Sequence, residues 1–195
     1  MPSSIFAAKK GREKLGDDIS WMRLPELFKG RALTLVGPQR VEITGRAESY
    51  AQEYLVAAMN CLSGCPKLLE KIFEGQSVSP FGIYLLRIYQ ESVWKYIIID
   101  DYIPVIRTPS SPRPAFLSVK VPEEGPVDVW PFLLEKAYAN YYSRYEALQL
   151  GGLVDFVEEL AGTPSRKIQL RTEGGRKKEK MSEEDTVKAL QQARK

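Results

Sequence analysis

The stretch AESYAQEYLVAAM, residues 47–59, has the signature of a helix start. Ser49 can cap it, and Gln52 stands three residues on, as a capping box requires. The next residue, Glu53, falls in the first turn, where unpaired backbone N–H groups best activate a nucleophile. A carboxylate occupies that place, and the chain contains no histidine. Without an imidazole the Ser-His and Cys-His nucleophilic systems are absent from these residues, as is the commonest transition-metal ligand. Chemistry would have to rest on carboxylates, Lys, Tyr or a partner chain. Asp100 and Asp101 form a pair of acids, but neighbours on a strand point to opposite faces and do not share one ligand. Their place just before Pro104 predicts hydrogen bonding to backbone at a strand end. Cys61 and Cys65 are too few for a disulfide framework or a zinc site and are expected as small buried side chains in a reducing compartment.

Composition bounds the class. The chain has 195 residues, 44% hydrophobic and 27% charged, enough for one domain with a core that needs no staples. No apolar run approaches the roughly 18–20 residues of a membrane span. The N-terminal residues lack a signal-like apolar stretch and a Gly at position 2, and Glu13, Asp17 and Asp18 speak against a mitochondrial presequence. The formal charge of +3 is uneven: residues 163–195 carry ten Lys/Arg against five Asp/Glu, whereas residues 19–162 carry fourteen against seventeen. The basic tail holds Arg166, Lys167, Arg171, Arg176, Lys177, Lys178 and Lys180. It could engage an acidic surface such as tubulin, an anionic lipid or RNA, or be simply solvated. It has no interleaved aromatics and no RNA-binding motif, which speaks against nucleic acid.

Periodicity outlines the elements. Trp21, Leu24 and Leu27 suggest a short apolar anchor, and residues 30–45 two short extended segments around a Gly-Pro turn. The opening helix places Tyr50, Tyr54, Leu55, Ala58, Cys61 and Leu62 on one face and ends at Gly64. Pro66 starts another, with Leu68, Leu69, Ile72 and Phe73 inward. Residues 82–106 read as an antiparallel hairpin around Gln90, Glu91 and Ser92, and the run Tyr96–Ile99 is expected to be covered on both faces. AFLSVKV is expected to return as a third strand. Two helices follow, the second ending at Gly162. Residues 163–195 are polar, with a short helix from Ser182 that is ordered correctly for its dipole. The expected organisation is an arm at 1–19, a domain at 20–162 and a basic arm at 163–195. The absence of histidine predicts a stability nearly flat from about pH 6 to 8.

Asp100, Asp101 and Pro104, then Trp130, the run Leu133–Ala139, Tyr145, Glu146, Leu148, Gly151 and Gly152, together with Trp21, Arg23 and Leu24, closely resemble the calpain family of cysteine proteases over residues 20–162. The resemblance implies an α+β fold of the papain type, namely the first protease-core subdomain with helices packed on a small antiparallel sheet. In the family pattern Q-G-x-x-G-D-C-W-x-L-A-A, Leu55, Ala57 and Ala58 match, Tyr54 takes the Trp position and Glu53 takes that of the nucleophilic Cys. Gln52 replaces the Asp, Ala51 the Gly, and Ala47 the Gln that would serve the oxyanion hole. The family's His and Asn come from a second subdomain; Asn60 and Asn140 lie in other contexts, and residues 163–195 are expected to be too few and too polar to form it.

The resemblance therefore implies a chain without a catalytic site, Glu53 and Ala47 being its degenerate positions. A carboxylate in the first turn keeps negative charge at the positive end of a helix, worth about 0.3–1 kcal/mol, but is a poor nucleophile toward amides. A solvated first-turn residue is the plainer reading of the same Glu53. The family core also binds calcium, but Glu42 sits in no dense carboxylate cluster, and calcium takes six to eight oxygens, so neither metal nor cofactor is expected. Three roles fit. The first is a scaffold in a larger assembly, which analogy with truncated calpain-like proteins of ciliated and flagellated protists puts in the cytoskeleton of a cilium or flagellum, in the cytoplasm. The second is a regulatory pseudoprotease that binds peptides or an active calpain; the third is half of a split protease completed in trans.

Overall fold

The computed structural model describes residues 19–45, 53–109, 111–163, 171–172, 179–180 and 188. The chain divides into two compact units, 1–163 and 164–195. The first opens with β1 (Ile19–Arg23), α1 (Leu24–Leu27), β2 (Leu33–Thr34) and β3 (Ile43–Gly45), then α2 (Glu53–Leu62) and α3 (Pro66–Ile72). The long pair β4 (Ile83–Gln90) and β5 (Val93–Asp100) follows, then β6 (Tyr102–Ile106), β7 (Arg113–Pro114), β8 (Leu117–Val119) and β9 (Val127–Asp128). It closes with α4 (Trp130–Tyr141), a 3-10 turn at Tyr145–Leu150 and α5 (Leu153–Ala161), which Gly162 ends in the left-handed conformation at φ 66°. The second unit contains β10 (Arg171–Thr172) paired antiparallel with β11 (Glu179–Lys180), a pairing that the polar composition of the tail does not announce. The helix expected from Ser182 lies outside the described residues, apart from a helical Lys188.

This is an α+β fold in which the sheet is broken into short ladders. β1 pairs antiparallel with β6, and β6 with β7; β3 pairs with β8, and β2 runs parallel to β9. AFLSVKV therefore returns to β3 and not to the hairpin. β4 and β5 pair from Ile83↔Asp100 to Gln90↔Val93. Glu91 (φ 53°) and Ser92 (φ 65°) make the turn, both in the left-handed region that a two-residue hairpin loop demands. The inner face of the pair buries Tyr84, Leu86, Ile88, Ile97 and Ile99. The outer face leaves Ile83, Tyr96 and Ile98 at 61%, 59% and 68% exposure. The expectation that Tyr96–Ile99 is covered on both faces is thus corrected: alternation along the strand buries one set only.

α4 is the central element. Every residue from Trp130 to Ala139 is buried, including Glu135 and Lys136, so no face of this helix meets water until its last turn. α5 packs beside it, with the Phe156 ring 4.3 Å from that of Tyr138. α2 buries Leu55, Ala58, Met59 and Leu62. Cys61 and Cys65 are both exposed free thiols, which corrects their expected burial: Met59 lies on the inward stripe, and Cys65 precedes the first turn of α3. Among the described residues no helix is long and apolar enough to cross a membrane.

Burial pushes the Glu135 carboxyl well above the usual carboxylate range, against the pull of a hydrogen bond from the Leu117 amide. The folded chain therefore keeps a proton that the unfolded chain releases once pH exceeds the ordinary carboxyl value. Stability is full below that value and falls as pH rises above it, by about 1.4 kcal/mol per pH unit until the folded group ionises. The flat profile expected from the absence of histidine does not include this group. Urea unfolding from about pH 5 to about pH 8 should show that decline in the native chain and a shallower one in Glu135→Gln, where the raised Glu159 and Asp128 carboxyls remain. An equal slope in both would contradict the assignment.

Candidate functional site

α2 is tied to β3 by one side chain. The Asn60 Oδ1 accepts the Ile43 amide at 3.0 Å, while its Nδ2 donates to the Ile43 carbonyl at 2.7 Å and to the Val56 carbonyl at 3.0 Å. Asn60 is thereby a structural clamp. Asn140, in turn, donates to the Ile98 carbonyl at 3.3 Å and steadies the hairpin. With α2 fixed in this way, Glu53 stands in its first turn, exposed. The first amides of a helix have no partner within it and give this end a partial positive charge, which a carboxylate complements. Ser49, Gln52 and Ala47 lie outside the described residues.

Tyr54, next to Glu53, points the other way. Its ring meets Phe156 edge-on at 6.2 Å, and its hydroxyl lies over Gly151, where an added methyl carbon would fall 2.2 Å from the oxygen. Burial pushes the Tyr54 phenol up to about 12, and the Glu159 charge adds to the shift. Between Tyr54, the β4–β5 turn, the last turn of α4 and α5 opens a cavity of about 710 Å³. Its floor holds Glu159, nearly buried on the inward stripe of α5 with Phe156 and Leu160. The Glu159 Oε1 accepts the Tyr142 hydroxyl at 2.7 Å and the Gln90 amide. Burial raises this carboxyl above its ordinary range, hydrogen bonds from Tyr142, Tyr138 and Gln90 pull it back, and the Asp155 charge pushes it up again. The Tyr138 hydroxyl is buried against the same carboxylate, and burial together with the Glu159 charge pushes this phenol well above its ordinary range.

The other candidates have structural partners. Asp101 is bound by Arg23 through Nε at 2.8 Å and a terminal nitrogen at 2.9 Å, and Asp100 accepts the Tyr102 amide at 2.9 Å and the Lys136 ammonium. They face different partners, as strand geometry predicts, and both carry ion pairs that the backbone-only expectation omits. Glu42 pairs with Lys120 at 3.0 Å, and among the described residues no three His, Cys, Asp or Glu converge on one point. Of the tail, backbone pairing at Arg171 and Lys180 is described; Arg166, Lys167, Arg176, Lys177 and Lys178 lie outside the described residues.

The sequence reading placed Tyr54 and Glu53 but missed the cavity. The signal was a conflict of patterns: helical spacing puts Glu159 on the stripe of Phe156 and Leu160, where a carboxylate costs free energy unless something binds it.

All of residues 1–195 match the family described as "Calpain family cysteine protease". The chain is 33% identical over 158 residues to calpain-13 of Rattus norvegicus, covering 79% of this chain and 22% of that protein. It is 30% identical over 154 residues to calpain-9 of Homo sapiens, covering 77% and 21% respectively. It is 34% identical over 91 residues to the calpain-type cysteine protease DEK1 of Zea mays, covering 47% of this chain and 4% of that protein. The chain thus spans about a fifth of the length of the first two relatives.

Tyr54 over Gly151 leaves no room for a side chain at 151. Gly151→Ala should displace the phenol and lower stability by about 1–3 kcal/mol, the usual cost of overpacking. Denaturant unfolding checks this, and the companion Tyr54→Phe should recover part of the loss by removing the hydroxyl that clashes. No loss in Gly151→Ala would contradict the close approach.

Proposed function

The chain belongs to the calpain family of cysteine proteases, and from that premise we propose that it is a non-catalytic member that acts as a structural subunit in a larger protein assembly. One observation supports the reading: Glu53, which the motif likeness sets at the place of the family's nucleophilic Cys, is exposed in the first turn of α2. In a cysteine protease this position holds a thiol whose thiolate the helix N-terminus favours. Glu53 keeps a negative charge there while discarding nucleophilicity, and these 195 residues supply no imidazole to move a proton. Ala47, at the position of the oxyanion Gln, has no side-chain donor.

A scaffold acts through surfaces. The outer face of β4–β5, with Ile83, Tyr96 and Ile98 exposed beside Phe81 at 83%, supports a protein-binding role, since a patch of large apolar side chains in contact with water favours association. The basic tail supports an acidic partner surface such as that of tubulin. The cytoskeleton of a cilium or flagellum, within the cytoplasm, is the assembly this reading names. A regulatory pseudoprotease or a protease half completed in trans are the outcomes that would displace it.

Two measurements test the reading. In a chain with Cys61 and Cys65 replaced by Ala, Glu53→Cys supplies a single thiol at the proposed nucleophile position. Its iodoacetamide rate against pH should show a midpoint below the free-cysteine value of about 8.5, as a helix N-terminus dictates. A midpoint at or above that value would remove position 53 from the active end of the helix. A tagged copy expressed in ciliated cells should co-sediment with detergent-extracted axonemes; a wholly soluble copy would contradict the structural role.

A further inference from the structure

The outer face of β4–β5 carries charge as well as apolar side chains. Register sets four residue pairs along it: Ile83 with Asp100, Leu85 with Ile98, Arg87 with Tyr96, and Tyr89 with Trp94. Ile83, Trp94, Tyr96 and Ile98 are exposed, and Phe81, two residues before Ile83, adds a further exposed ring. These five present on the order of 600 Å² to water. That is the upper end for the largest apolar patch of a single soluble chain, and it approaches the roughly 800 Å² that each partner gives a standard interface.

Backbone pairing is not what this face offers. At the β4 edge the Leu85 carbonyl accepts the Glu74 amide at 2.9 Å, and Leu86 bridges to Phe73. In β5 the Ile98 carbonyl accepts the Asn140 side chain at 3.3 Å. An added strand would have to displace these partners. The face is instead met by side chains, as one layer packs on another about 10 Å away.

Charge selects the opposing layer. Arg87 and Asp100 stand on this face two residue pairs apart. The Arg87 Nε donates to the Lys71 carbonyl at 2.6 Å, and the guanidinium lies 4.8 Å from the Trp94 ring centre. Asp100 is anchored by the Lys136 ammonium and the Tyr102 amide, while its side chain remains 47% exposed. Both charges are held in place before any partner arrives, so little ordering entropy is lost on pairing. An apolar partner would bury them unanswered, and an anionic lipid surface would repel Asp100. A second copy of the face answers both. A two-fold axis running across the strands at the Leu85–Ile98 pair brings the Arg87–Tyr96 level of one copy over the Ile83–Asp100 level of the other, and the reverse. Opposite charges then meet at both ends, with Leu85 and Ile98 of each copy packed at the centre, as a self-complementary interface requires.

We propose that the outer face of β4–β5 pairs with the same face of a second copy of this chain, about a two-fold axis at Leu85 and Ile98. Such pairing presupposes the protein-binding role of this face and names its occupant. It uses no atom of Glu53.

Sedimentation velocity of the full chain, from about 1 to about 100 μM, is the test. The native chain should pass from monomer to dimer with a midpoint in the micromolar range. Ile98→Lys sets like charges together at the axis and should weaken the dimer at least about tenfold, with an unchanged circular-dichroism spectrum. Arg87→Glu sets carboxylate against carboxylate and should weaken it by a similar factor. In a chain with Cys61 and Cys65 replaced by Ala, Ile98→Cys should be joined to a second copy by the short cross-linker bismaleimidoethane, whereas Lys67→Cys on α3 should not. A native chain that stays monomeric over this range would overturn the pairing. Should that monomer still co-sediment with axonemes, the protein-binding role of the face stands and its occupant is another protein. A dimer that Ile98→Lys leaves intact, or equal cross-linking at positions 67 and 98, would place the interface elsewhere and overturn the pairing as well.

Discussion

The bend between β5 and β6 holds the first unit together through two adjacent carboxylates. Asp101 is 2% exposed and is matched by the two-pronged Arg23, the last residue of β1. Its backbone is engaged as well: the Asp101 carbonyl accepts the Leu24 amide at 3.0 Å and its amide donates to the Gly82 carbonyl at 3.0 Å. Gly82, at φ 69°, is required twice over, because an added methyl carbon would fall 2.1 Å from the Arg23 guanidinium. Asp100, one residue earlier, turns the other way and binds Lys136 in the middle of α4. Lys136 also donates to the Tyr102 carbonyl and lies 5.3 Å from the Trp21 ring. Burial pulls the Lys136 ammonium below its ordinary range, and the two carboxylates pull it back only in part. A lysine so placed is tolerable only with such partners, so the bend and the helix specify each other. One dipeptide thereby fixes β1, the start of β4, β6 and α4.

The candidate site inherits its geometry from that bend. α4 cannot slide along its axis without dragging Lys136 from Asp100, so the positions of Tyr138 and Tyr142 are set from less than two turns away along the same helix. Tyr138 then receives Phe156 of α5, and Phe156 receives Tyr54 of α2. Most of the described residues that carry the calpain resemblance are therefore packing residues: Lys136, Asp101 and Gly151 serve contacts within the fold. Glu53 by contrast is exposed. The framework and the exposed first turn of α2 are physically separable, so a substitution at position 53 need not disturb the packing of the core.

Much of this was legible in residues 20–162. The hairpin, the opening helix and the Gly162 stop follow from turn chemistry and periodicity, and the opposed directions of Asp100 and Asp101 follow from strand geometry. What escaped the reading depends on what lies above a face. The outer face of β5 reads as apolar in either case, and nothing in Tyr96–Ile99 says that only the inner set is covered. Cys61 sits one position away from the Met59 stripe, closer than helical spacing alone resolves. The burial of α4 on every side, with Glu135 inside, is a property of its neighbours and not of its own periodicity. The cavity is likewise formed by four separate segments that sequence cannot bring together.

The central claim, that this chain keeps a protease framework without its cutting chemistry, meets its most direct test in turnover. The purified 195-residue chain, incubated with a fluorogenic calpain peptide substrate with and without calcium, should release no product above the buffer rate, and Glu53→Gln should behave identically. Calcium-dependent hydrolysis that Glu53→Gln abolishes would contradict the account.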